Sequence, residues 1–172
     1  MRAAKLARFL LLAGTLASGA ALAAAGGGGP KVQYYQSSER NPGISVQLDK
    51  VLYMLSFANK GEYKVLPVVL DNPGDTPIIL SRAEDTFTIL AQGRRIPGVL
   101  DLAKANPEMW AALEPGLRQD LLYPSEVEAR RIHVIYVLVP ASEIQGLPQS
   151  FAFFIKSLGR TVEIKQPGAR AD

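Results

Sequence analysis

The sequence predicts an all-β fold, an antiparallel sandwich of about seven strands with a short helical insert near residues 101–117. Three observations carry this expectation. Short runs rich in Val, Ile, Leu, Tyr and Phe recur from Ile44 to Lys165, separated by clusters of Gly, Pro, Asn and Asp, which is the rhythm of strands joined by tight turns. The 172 residues include no cysteine, so stability rests on a hydrophobic core and not on disulfides. Setting aside a 25-residue leader leaves about 147 residues, enough to bury one core and suited to one domain.

The leader reads MRAAKLARFLLLAGTLASGAALAAA. Arg2, Lys5 and Arg8 form a positive start, Phe9 to Leu16 an apolar run, and Ala21-Leu22-Ala23 the small-x-small pattern that signal peptidase accepts. Residues 1–25 are therefore expected to be a signal peptide, cut after Ala23 or Ala25, that sends the chain to the periplasm or outside the cell. The stretch Phe9 to Ala25 is shorter and more dilute than the ~20 strongly apolar residues of a membrane span. Without a cysteine there is no lipoprotein anchor, and no membrane attachment is expected after cleavage. Residues 26–40, opening on Gly26 to Gly29 and Pro30, read as a flexible spacer.

Ile44, Val46 and Leu48 alternate with Ser45, Gln47 and Asp49, a half-buried strand. The apolar set then shifts to Val51, Tyr53, Leu55 and Phe57, and this change of parity marks a bulge or break near Asp49-Lys50. Asn59-Lys60-Gly61 reads as a turn. Tyr63 to Leu70 is nearly continuous in apolar residues, and Pro67, which has no N–H, is expected at an unpaired or edge position. Asp71 to Pro77 holds Asn, Gly, Asp and two prolines and reads as a turn before Ile78-Ile79-Leu80. Thr86 to Leu90 is a strand that ends in a hairpin at Gln92-Gly93.

Arg131 to Val139 is the clearest central strand. Its alternation sets His133, Ile135, Val137 and Val139 against Ile132, Val134 and Tyr136, and Val134 is expected to point inward, as is Phe153. Ser150 to Ile155 and Thr161 to Lys165 form a closing hairpin about Leu158-Gly159-Arg160, with the domain spanning 41–166 and a disordered tail at 167–172.

The insert is the one stretch that does not read as β. Asn106 as N-cap, Pro107 at the first helical position and Glu108 in the first turn start a helix, and Pro115-Gly116 stops it. Met109, Trp110, Leu113 and Leu117 are the candidate partner-binding residues, because Trp offers large contact area with few rotatable bonds. The competing expectation is that Trp110, Leu113 and Leu117 cover an open end of the sandwich.

The number and spacing of the strands point to an immunoglobulin-like sandwich. The order of the pieces also resembles the telokin-like, immunoglobulin-like domains of bacterial exported proteins. The matching stretches are Ile44 to Leu48, Val69 to Ile78 with its Asn72-centred turn, Thr88 to Gly93, Leu122-Tyr123-Pro124-Ser125-Glu126 and Val139-Pro140, together spanning about residues 44–165. Ser125 stands where that pattern prefers Gly. The resemblance implies a fold and a compartment, and brings no catalytic residues with it.

Chemistry is sparse. The only histidine, His133, lies in mid-strand, and no Gly-x-Ser-x-Gly elbow accompanies it. The acid pairs Glu84-Asp85, Glu126/Glu128 and Asp71/Asp75 flank turns, where acids are ordinarily solvated, and none has calcium-loop spacing. No catalytic, cofactor-binding or metal-ligating residue is assigned. The formal charge of +3 comes from the leader: without its three basic residues, sixteen Lys and Arg face sixteen Asp and Glu, so nucleic-acid binding is set aside. The resulting expectation is an exported, non-enzymatic domain that binds a protein or envelope partner, of unknown oligomeric state. The alternatives are an enzyme or enzyme accessory acting on extracellular polymers, and a proteinase inhibitor presenting Pro97 to Glu126.

Overall fold

The computed structural model describes residues 33–48, 53–57 and 61–167. The expected signal peptide, its glycine run, the Asn59-Lys60 turn and all but the first residue of the expected tail lie outside them. Eleven strands are described: β1 (Gln33–Ser37), β2 (Gly43–Leu48), β3 (Tyr53–Phe57), β4 (Gly61–Asn72), β5 (Ile78–Ile79), β6 (Thr86–Ala91), β7 (Arg94–Gly98), β8 (Glu126–Val127), β9 (Arg131–Pro140), β10 (Ser150–Ile155) and β11 (Arg160–Lys165). Three short helices, α1 (Leu102–Ala105), α2 (Pro107–Ala112) and α3 (Pro115–Asp120), fill the insert. The fold is all-β, and every pairing among the described strands is antiparallel.

Nine strands form one sheet in the order β3-β4-β2-β1-β11-β10-β6-β7, with β9 on the other edge of β4. The sheet then curls back on itself. Just past β7, the Val99 N–H donates to the Leu138 carbonyl (2.7 Å) and the Leu138 N–H donates to the Val99 carbonyl (3.0 Å), so β7 meets β9 at a single residue pair. The result is a nearly closed barrel, with β5 and β8 forming a separate two-stranded ribbon.

Alternation fills the interior. Tyr35, Ile44, Val46, Leu48, Leu66, Val68, Leu70, Phe87, Ile89, Ile96, Ile135, Val137, Val139, Phe151, Phe153, Ile155, Val162 and Ile164 are buried in one continuous core. Phe87 sits between Phe151 and Phe153, at 5.8 and 5.5 Å between ring centroids. Tyr35 meets Phe151 edge-on at 4.9 Å, and its hydroxyl donates to the Pro148 carbonyl (2.6 Å), which keeps a buried phenol satisfied. The β6–β7 hairpin turns on Gln92 and Gly93, with φ of 53° and 73°, the doubly positive pair of a tight two-residue hairpin.

β4 explains the expectation for Pro67. One edge pairs with β9 from Tyr63 to Asn72; the other pairs with β3 up to Val65 and with β2 from Val68. The Ala141 N–H donates to the Glu62 carbonyl, so even-numbered residues of β4 face β9 and odd-numbered residues face β2 and β3. Pro67 therefore presents its missing N–H to the gap between β3 and β2, where neither strand pairs, and a proline sits inside a twelve-residue strand without losing a ladder bond. From Val46 to Tyr53 the chain advances seven residues while its partner on β4 moves three, from Val68 to Val65. The bulge or break expected near Asp49-Lys50 itself lies outside the described residues.

Three expectations need correction. The inward face of β9 is that of Ile135, Val137 and Val139; Val134, expected inside, lies on the outer face and is 41% exposed. Both faces of β9 carry β-branched residues, Ile132 and Val134 on the outer one, so alternation alone does not say which face is inner. Pro115 does not merely stop a helix: α2 ends at Ala112 and Pro115 occupies the first turn of α3. And the spacer assigned to 26–40 contains β1, whose Gln-Tyr-Tyr-Gln-Ser sequence buries only Tyr35 completely and so gives little periodic signal.

Candidate functional site

The insert is built as a lid for one outer face of the sheet. Asp101 caps α1 through the Lys104 N–H (3.2 Å), and Asn106 caps α2 through the Met109 N–H (3.0 Å). These caps aim Leu102, Met109 and Leu113, with Leu121, at Leu138 of β9, in a second buried cluster flanked by Tyr63, Val65, Val99 and Tyr136. Of the four residues singled out in the sequence, Met109 and Leu113 are thus buried in the molecule, and Trp110 and Leu117 are half-buried at the margin of the same cluster. The structure brings all four together, on the flank of β4 and β9 and not at an open end of the sandwich.

The surface left open adjoins this lid. Leu138 turns its N–H and C=O away from β4 to reach Val99, and backbone groups on a strand alternate in direction, so Ile132, Val134 and Tyr136 also turn theirs away from β4. Beyond Val99 the chain departs into α1, and among the described residues nothing pairs with this edge of β9. The side chains there are uncovered as well, with Ile132 55% and Val134 41% exposed. A groove of about 270 Å³ runs beside it, lined by Glu126, Val127 and Glu128 from β8 and its turn and by Arg131, Ile132 and His133 from β9. Arg131 meets Glu128 at 3.6 Å, so charge at the strand's entry is balanced. No residue pattern in the sequence signals this bare edge, since it depends on where β7 ends relative to β9.

Elsewhere the polar groups act as ties. Asp85, which is buried, accepts from the Ser81 N–H (2.8 Å), the Tyr123 hydroxyl (2.7 Å) and the Lys156 N–H (2.8 Å), joining the β5–β6 connection to the end of the insert and to the short 3₁₀ turn Lys156–Leu158. Burial raises the Tyr123 phenol above its ordinary range, and the hydrogen bond to Asp85 and that residue's negative charge raise it further. The folded state thus holds the Tyr123 proton more tightly than the unfolded state, so its contribution to stability is complete below about pH 10 and is lost as pH rises beyond it. Tyr123→Phe is expected to cost about 1 kcal/mol near neutrality. It should also flatten the alkaline loss of stability by up to about 1.4 kcal/mol per pH unit, read from urea unfolding at a series of pH values above 10.

His133 is exposed on β9, and among the described residues no three His, Asp or Glu side chains gather as a metal would require. A depression of about 320 Å³ on the outer face of β6, β10 and β11 is lined by Thr86, Thr88, Arg95, Ser150, Phe154 and Glu163 around the short side chain of Ala152. Compared with protein-family models, with curated proteins and with solved structures, the chain matches none.

Proposed function

We propose that the chain is an exported, non-enzymatic β-domain that binds a protein partner by accepting an extended segment along the open edge of β9. The observation that carries this is the edge itself, where outward backbone groups and exposed β-branched side chains coincide at Ile132 and Val134. Strand addition uses this pairing of main-chain bonds for affinity and alternate side chains for selectivity. Export is supported by the leader sequence, and kinship with telokin-like, immunoglobulin-like sandwiches by the order of turns around Asn72, Gly93 and Pro140. Among the described residues no helix is long and apolar enough to cross a membrane. The stretch Pro97 to Glu126, which would carry an inhibitory loop, holds three helices with Leu102, Met109, Leu113 and Leu121 buried, so nothing favours the inhibitor reading over strand addition.

Proline substitution tests the proposal, because it deletes one N–H at a chosen side of the strand. At Val134 that N–H faces outward, so Val134→Pro is expected to fold at a cost of about 1 kcal/mol or less. At Ile135, whose N–H faces Val68 on β4, the same change breaks the ladder and removes a core side chain, with an expected loss of more than about 3 kcal/mol. A displayed library of random extended peptides should yield binders to the exported chain that Val134→Pro no longer retains. Binding untouched by Val134→Pro, or turnover of hydrolase substrates that disappears on His133→Ala, would overturn the reading.

A further inference from the structure

Resting on β9 as the binding edge, we infer that its occupant is a second copy of this chain, joined antiparallel about a two-fold axis at His133. An antiparallel pair of identical strands is self-complementary, and the stretch of β9 clear of the insert offers two residues with outward backbone groups, Ile132 and Val134. An axis through the intervening His133 sets Ile132 of each copy opposite Val134 of the other. Both N–H and both C=O groups on each side then find partners, giving four hydrogen bonds. Tyr136, packed against the insert, is not needed.

The side chains agree with this register. Val134 lies beside Val69 of β4 and Ile132 beside Asp71, so pairing joins Val69, Val134 and Ile132 of the second copy in one apolar row that ends on Asp71, and cross-strand pairs of β-branched residues are among the favourable ones. Arg131 falls opposite Ile135 of the second copy, so no like charges are opposed. Edge protection is distributed unevenly in the same sense. Where β7 turns outward it carries Arg95 and Pro97, a charge and a missing N–H that discourage pairing, whereas Ile132 and Val134 present neither device. Residues 26–172 hold equal numbers of acidic and basic side chains, so no net charge keeps copies apart.

The chain has no cysteine, which makes a single introduced thiol a clean reporter. In the inferred register His133 faces its own copy as a non-hydrogen-bonded pair, with Cα atoms roughly 4.5 Å apart, within reach of a disulfide. The exported His133→Cys chain is expected to form disulfide-linked dimers under mild oxidation, while Glu163→Cys, exposed on β11, remains a single chain. In sedimentation equilibrium the unaltered chain should rise with concentration toward twice its mass, and Val134→Pro should not. A mass of one chain at every concentration, or no more cross-linking at His133→Cys than at Glu163→Cys, overturns the second copy as occupant. If peptide binders are nonetheless lost in Val134→Pro, the edge reading stands with another occupant; a Val134→Pro chain that fails to fold removes both.

Discussion

Phe153→Asp is expected to leave a chain with no cooperative thermal transition. Phe153 is fully buried, and its ring lies 5.5 Å from that of Phe87. Losing the ring alone costs about 3 to 5 kcal/mol. A carboxylate in its place finds no donor in an all-hydrocarbon interior, and the added penalty of several kcal/mol exceeds what remains of the ~5 to 15 kcal/mol that holds a domain of this size. The informative control is Val134→Asp. It puts the same charge on the outer face of β9, where water reaches it, and should cost about 1 kcal/mol from weaker cross-strand packing with Val69. Circular dichroism melts of the two variants side by side decide the matter: a folded Phe153→Asp or an unfolded Val134→Asp would invert the assignment of the barrel's inner face.

That contrast also shows where sequence is informative and where it is not. Turns were legible, because Asn72-Pro73-Gly74 and Gln92-Gly93 use residues whose local backbone preferences decide the geometry. Strands with polar alternation were legible too, as in β2, β6 and β11. β9 was legible as a strand but not in its orientation, since a residue pattern apolar on both faces fits either choice, and the insert covers the outer face only at Tyr136 and Leu138, leaving Ile132 and Val134 exposed. The closing contact between Val99 and Leu138 was invisible: it joins residues 39 positions apart through backbone groups, and any residue but proline at those positions would allow it. The bare edge of β9 follows from that contact, so the edge proposed to take a partner was the part the sequence said least about. The insert was legible in its start, through Asn106 and Pro107, but its docking face was not, because an apolar helix side has no address until the sheet it covers is placed.

Asn72 is expected to be the most sensitive polar position. It ends β4 almost wholly buried, and its side chain ties the turn that follows to the end of β8. The Nδ2 group donates to the carbonyls of Thr76 (2.9 Å), Val127 (3.1 Å) and Glu128 (3.1 Å), while Oδ1 accepts from the Gly74 N–H (3.1 Å). One amide therefore shapes the 73–77 turn and pins the β5–β8 ribbon to the end of the barrel. Asn72→Ala removes all four contacts and leaves buried carbonyls without donors, for an expected loss of about 3 kcal/mol. Asn72→Asp is the sharper test. Near neutrality it replaces the donor with a charged acceptor facing three carbonyls, and should be worse than alanine despite its near-identical shape. Its protonated form restores one donor, so the folded state favours the proton and the carboxyl is held above its ordinary value of about 4. Stability should then be regained as pH falls toward that value and lost as pH rises through the raised one, the reverse of ordinary acid denaturation. Urea midpoints measured for the two variants from pH 7 down to pH 4 would show this as a crossing of the curves. Parallel curves, with Asn72→Asp no worse than Asn72→Ala at pH 7, would mean that the amide's donors do not carry the ribbon.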